Sequence, residues 1–161
     1  MKFCLVDRIV EFVPAKTITT AKNVSLAEEY LLDHFPGFPV LPGVLMLEAG
    51  VQAAAWLVRE WCHFSSSLVV LKEARGIRYG AFVEPGRTLI MRAEVILLEE
   101  TRSEFKIRGS VGDGLAITGR IELAHLRLSR NDPSLDRLDQ VVVESLSAQW
   151  RQLRTPVPEA I

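Results

Sequence analysis

The segment His34-Phe35-Pro36-Gly37-Phe38-Pro39-Val40-Leu41-Pro42-Gly43-Val44-Leu45-Met46-Leu47-Glu48-Ala49-Gly50-Val51-Gln52 sets an imidazole at one end and a carboxylate near the other, and Glu48 is the only charged residue from Phe35 to Val58. Imidazole has a reference pKa of about 6.5 and accepts a proton near neutral pH, whereas an apolar helical setting disfavours the charged form of a carboxylate. One group is therefore suited to take a proton and the other to give one. That pairing serves a reaction that removes a proton at one atom and protonates a leaving group at the next. Gly43 and Val44 would open a helix, where backbone N–H groups lack intrahelical acceptors and the dipole is positive, a setting for a carbonyl that gathers negative charge. Gly43 also lets a ligand approach the main chain closely. Gln52 lies one helical turn beyond Glu48 and can orient that carboxyl or bind a water.

These groups need elements to hold them. Pro36, Pro39 and Pro42 remove backbone donors and restrict the residues before them, which predicts an ordered non-helical loop over His34 to Leu41. Pro42 suits the first turn of a helix, and Val44 to about Trp61 reads as helix with Gly50 as its only breaker. Apolar side chains occupy nearly every face of that helix, so it belongs at the centre of the fold, wrapped by sheet. Upstream, Phe3 to Val13 fits a short helix or an edge strand, Thr17 to Val24 a strand rich in β-branched residues, and Ser25 with Glu28 a capping box opening a short helix over Leu26 to Leu32. Downstream, Leu68 to Tyr79 and Thr88 to Leu98 read as strands joined through the turn Glu84-Pro85-Gly86-Arg87. Glu104 to Val111 alternates with period two, Gly112-Asp113-Gly114 marks a hairpin, and Ile117, Gly119, Ile121 and Leu123 continue the inward face of its partner. After Asn131-Asp132-Pro133-Ser134, Leu135 to Leu153 has near-helical apolar spacing at Leu138, Val141, Val142, Leu146 and Trp150. The sum is an α+β domain over residues 1–130, an antiparallel sheet around one apolar helix, with a C-terminal amphipathic helical extension over 131–161.

Composition bounds what such a domain does. The chain has 161 residues, enough for one domain with a tail, and its 48% hydrophobic content points to a well-filled core or to apolar surface hidden in an oligomer. Lysine and arginine number 19 against 20 aspartates and glutamates, so the net field selects neither nucleic acid nor a charged membrane. Cys4 and Cys62 lack metal-like spacing and read as reduced thiols. Charges at Lys2, Asp7 and Arg8 interrupt any apolar signal-peptide core, which makes a cytoplasmic location the expectation. The uncharged helical run of roughly 24 Å, at 1.5 Å per residue, is short of a bilayer core of about 30 Å, so no membrane span is expected.

The run His34-Phe35-Pro36-Gly37, Pro39-Val40, Pro42-Gly43-Val44, Glu48-Ala49 and Gln52 resembles the signature of the (3R)-hydroxyacyl-acyl carrier protein dehydratases of bacterial fatty-acid synthesis, the FabZ type of the hotdog superfamily. Val6-Asp7-Arg8-Ile9, Lys22-Asn23-Val24 and Ile77 to Gly86 extend the likeness over roughly residues 5 to 125. The resemblance implies a hotdog fold, a homodimer with a trimer of dimers left open, no metal or organic cofactor, and loss of water from a 3-hydroxyacyl chain on acyl carrier protein to give the trans-2-enoyl thioester. It further implies that His34 of one chain faces Glu48 of the other. His34 would abstract the α-proton, Glu48 would protonate the departing 3-hydroxyl, the Gly43 amide beside Val44 would polarise the thioester carbonyl, and the Val40 carbonyl would hold the His34 ring. Phe38 stands where the family often has a histidine or another polar residue, and Arg87 where it usually has aspartate.

Lys72, Arg75 and Arg78 precede the Pro85 turn and offer a basic rim for an acidic carrier, against the simpler reading as solvated strand charges. His63 and His125 lie outside any motif and read as ordinary surface or strand residues. Two other functions stay open: a hotdog acyl thioesterase, and a silent acyl-binding or dimer-partner subunit on the same fold.

Overall fold

Alternation along the chain is realised as one antiparallel sheet. In the computed structural model, which describes residues 3–130 and 132–155, the strands are β1 (Arg8–Val13), β2 (Thr17–Asn23), β3 (Leu68–Tyr79), β4 (Thr88–Leu98), β5 (Arg102–Val111) and β6 (Gly114–Leu126). Their order across the sheet is β1-β2-β4-β5-β6-β3, with every neighbouring pair antiparallel. The inward residues of β5 are Phe105 and Ile107, and those of β6 are Ile117, Ile121 and Leu123, all buried. The ambiguous N-terminal run resolves as the edge strand β1, and residues 112–113 form the β5–β6 turn with Gly112 at φ 53°.

The helix α1 (Gly43–Trp61) lies against the concave face and touches β2, β3, β4, β5 and β6. Gly50 makes this approach possible: a Cβ there would stand 3.0 Å from Ile107 Cδ1. The buried run from Ala53 to Val58 shows the all-round burial its composition requires. The sheet therefore wraps a central helix, as its apolar faces demand.

Two local expectations are corrected. Ser25 and Glu28 do not form a capping box, and Leu26 to Leu32 contains only a 3-10 turn over Glu29–Leu31. Ser25 Oγ accepts from the Ala27 amide at 3.3 Å, while Glu28 is drawn away to Lys22 Nζ at 2.7 Å. Lys22 is 7% exposed and also faces Asp7 at 3.6 Å, so a nearly buried cation has the first claim on the carboxylate that the cap would need. The second correction concerns α2 (Asp136–Leu153). Leu138 and Val141, expected on its packed stripe, are exposed, whereas Asp139, Trp150 and Leu153 face inward.

What holds α2 is a mixed lock. Trp150 packs edge-on against Phe12 of β1 at 5.2 Å and stacks on Trp56 of α1 at 5.9 Å. At the other end, Asp139 accepts hydrogen bonds from the Leu128 and Ser129 amides at 3.1 and 2.8 Å, fixing the turn that leaves β6. Burial alone would raise the Asp139 carboxyl, but bonds from Ser129, Ser67 and those amides reverse the effect and hold it well below the usual carboxylate range.

Candidate functional site

His34 sits at the mouth of a loop tied down by its own backbone. The Phe35 and Phe38 amides exchange bonds with each other's carbonyls at 3.1 and 2.9 Å, and Gly37 takes φ 83° to close that turn. The Val40 amide donates to the His34 carbonyl at 2.9 Å, and the Leu41 amide donates to Val83 O at 2.9 Å, so both ends of the loop are fixed. The hydrogen bond between residues 34 and 40 is thus main-chain to main-chain. The imidazole is half-buried and stacks on the Phe35 ring at 4.1 Å. The His34–Phe35 peptide is cis.

The loop delivers the chain into α1 at Pro42. Leu45 and Met46 amides both bond to the Pro42 carbonyl, at 2.9 and 3.1 Å, which leaves the Gly43 and Val44 amides as the two helix-opening donors without an intrahelical acceptor. Tyr79, at the end of β3, covers Gly43 so closely that a Cβ there would stand 3.0 Å from its Cε1. Sequence reasoning took Tyr79 only as the end of a strand. Its signal is an aromatic residue directly before the Gly80 break.

Glu48 is one and a half turns further along α1, half-buried, with Oε1 accepting from Gln52 Nε2 at 2.9 Å. Gln52 also donates to the Phe3 carbonyl at 3.1 Å and accepts from the Leu5 amide at 2.9 Å. Its amide therefore ties the Glu48 carboxyl to the chain entering β1. Glu48 and Gln52 line a cleft of about 230 Å³ between α1 and α2, together with Phe3, Trp56, Arg59 and Leu146 among others, and His34 is not on its wall. Within one chain the structure presents His34 and Glu48 as separate units: a half-buried imidazole on the loop and a carboxyl facing the α1–α2 cleft. Among the described residues, no group of three His, Cys, Asp or Glu side chains is arranged to hold a metal ion.

The basic rim is largely neutralised where it stands. Lys72 Nζ is 2.7 Å from Glu122 Oε1, and Arg75 binds Glu73 through two bonds at 2.6 and 2.5 Å, leaving Arg78 exposed. Phe38 meets Phe82 edge-on at 5.5 Å, and both rings remain largely exposed beside the loop. His125 is a strand residue as expected but a buried one: its Nε2 is 2.8 Å from Ser103 Oγ and its Nδ1 is 3.1 Å from the Glu100 carbonyl. Burial pushes its imidazole below the ordinary histidine value.

A sheet curled around one long apolar helix, with a loop bearing His34 entering that helix, is the hotdog fold. Solved structures agree on the fold. The ApeI:P dehydratase heterocomplex of Xenorhabdus doucetiae superposes with a TM-score of 0.65 over 83% of this chain and 90% of that one at 19% identity. A mutant thioesterase of Pseudomonas aeruginosa gives 0.59 over 75% and 81% at 20% identity. Residues 1–118 match the FabA-like domain, and the chain belongs to that family. Among its relatives, the 3-hydroxyacyl-[acyl-carrier-protein] dehydratase FabZ of Ruminiclostridium cellulolyticum is 34% identical over 76% of this chain and 86% of that protein. The FabZ of Ralstonia nicotianae is 37% identical over 74% and 75%. No helix among the described residues is long and apolar enough to cross a membrane.

Proposed function

We propose that this chain dehydrates 3-hydroxyacyl thioesters borne on acyl carrier protein to trans-2-enoyl thioesters. The observation that carries the reading is the arrangement around α1: two unbonded amides at its start and a carboxyl held by Gln52 in its second turn, on a loop–helix motif shared with a family whose relatives are named for that reaction. The thioester carbonyl sits at the Gly43 and Val44 amides, which stabilise the charge that develops on its oxygen. The His34 imidazole removes the α-proton, the C3–O bond breaks as the C2=C3 bond forms, and Glu48 supplies the proton that turns the leaving hydroxyl into water. The proton on His34 then returns to Glu48 through solvent, restoring both groups.

His34 and Glu48 act together across two copies of the chain. The β3 edge supports this assembly, since its outer backbone is unpaired and Val70, Leu71 and Tyr79 on it are exposed apolar side chains. The acidic carrier docks near Arg78, the rim cation that has no carboxylate partner among the described residues, and the working compartment is the cytoplasm. The test follows the absorbance of a crotonyl thioester on hydration while assaying free thiol in parallel. Loss of enoyl absorbance without thiol release is expected. Thiol release would make the chain a thioesterase, and no change in either signal would make it a silent acyl-binding subunit.

A further inference from the structure

On α1, Glu48, Gln52, Ala55 and Arg59 follow one another at spacings of four, three and four residues and so share one face of the helix. All four line the α1–α2 cleft. Between these ends the wall carries the apolar Val51, Ala55, Trp56, Val69 and Leu146, with Cys4 and the Gln149 amide of α2 beside them. At the far end, Arg59 is an unusual cation. Arg59 itself is half-buried, but among the described residues its buried Nε meets no acceptor and no ion pair includes it. The guanidinium lies over the Trp56 ring at 5.1 Å, which supports its charge but accepts no directed hydrogen bond. Desolvation lowers its pKa to about 10. A guanidinium Nε withdrawn from water ordinarily meets a carboxylate or phosphate, because a buried donor without an acceptor is unfavourable. The geometry is that of half an ion pair inside a binding cleft.

Building on the dehydratase reading, we infer that the cleft receives the acyl chain and that Arg59 selects chains whose far end carries a carboxylate. Eleven residues at 1.5 Å place Arg59 about 16 Å along the helix axis from the acid at the reacting carbon. The hydrocarbon crosses the apolar walls, and the terminal carboxylate meets the planar donor fork, the geometry guanidinium groups bind best. Arg59 is thus a specificity-determining residue remote from the bond that breaks.

The test uses the full chain with N-acetylcysteamine 3-hydroxyacyl thioesters of graded length, each made with a methyl and with a carboxylate terminus. The wild type is expected to favour the carboxylate-ended member of one length pair at least tenfold in kcat/KM. Arg59→Met should erase that preference through loss on the carboxylate substrate alone, and Arg59→Lys should retain part of it. Equal rates on both termini at every length in the wild type overturn the inference, as does a uniform loss on both in Arg59→Met. These thioesters lack phosphate, so a defect of Arg59→Met confined to carrier-linked substrates also overturns it, assigning Arg59 to the carrier arm. Calorimetry with inert amide analogues separates this inference from the reaction itself. Charge-selective binding without turnover removes the dehydratase reading and keeps the role of Arg59, whereas turnover without charge-selective binding does the reverse. The denaturation midpoint of Arg59→Met should hold or rise, because the substitution removes a buried donor that meets no acceptor among the described residues; a purely structural arginine would lower it.

Discussion

The two halves of α1 treat their polar side chains in opposite ways. In the first half, Glu48 is bonded to Gln52, and Gln52 is bonded in turn to Phe3 and Leu5, so the amide is shared out within the chain. In the second half, Arg59 lies over the Trp56 ring, and among the described residues its Nε has no acceptor. The first half is finished before substrate arrives, as a group that transfers a proton at a fixed atom must be. The second half is incomplete, as suits a surface that discriminates among ligands by what they bring to it. On the proposed reading, chemistry and selectivity are separated along one helix.

The comparison can be broken by finding that one half does the other's work. His34→Ala and Glu48→Gln are expected to lower kcat/KM for a crotonyl thioester by about 10²–10⁴-fold each, the usual contribution of a positioned acid or base, with little change in the urea midpoint. A large fall in stability would show instead that the first half is structural. Trp150→Ala should cost about 3–5 kcal/mol in urea denaturation, as for other buried tryptophans, because it removes the contact that holds α2 to Trp56 and Phe12. Its activity loss should be greater for long acyl chains than for crotonyl, since α2 walls the far part of the cleft. Gln52→Ala strands the Leu5 amide and releases the Glu48 carboxyl, so it should lower stability by about 1–3 kcal/mol and lower kcat more than it raises KM. A change in KM alone would sharpen the comparison differently, making Gln52 a substrate contact.

The smallest effect expected lies outside both halves. His125 has a folded pKa depressed by burial, so it contributes stability that is fully present above its unfolded value of about 6.5 and is lost as pH falls through that value toward the folded one. The urea midpoint should decline over that window, and His125→Gln should flatten the decline by removing the titrating group.

The legible parts of this molecule were those governed by neighbours in sequence. Alternation along residues 104–123 gave its strands because side-chain direction repeats every two residues, and the proline-spaced run to Gln52 gave loop and helix because each proline restricts its own backbone. The illegible parts depend on partners brought from far away. Glu28 fits a cap by every local rule, yet Lys22 takes it. Asp139 reads as the wet side of an amphipathic helix, yet the turn after β6 supplies two amides that draw it inward. His125 looked ordinary because Ser103 reaches it only through strand pairing, 22 residues away. Arg59 was legible in one respect, its place on the Glu48 face, but the missing acceptor is visible only once the walls are assembled.

The amide of Gln52 has a practical corollary for anyone handling this protein. It joins the Glu48 carboxyl to the main chain at Phe3 and Leu5 by three hydrogen bonds, so a tether attached ahead of Phe3 pulls directly on that carboxyl. A tether placed beyond Thr155 pulls first on Trp150 and the selective end of the cleft. Immobilising the enzyme by one end or the other should accordingly disturb different kinetic constants, the first turnover and the second discrimination.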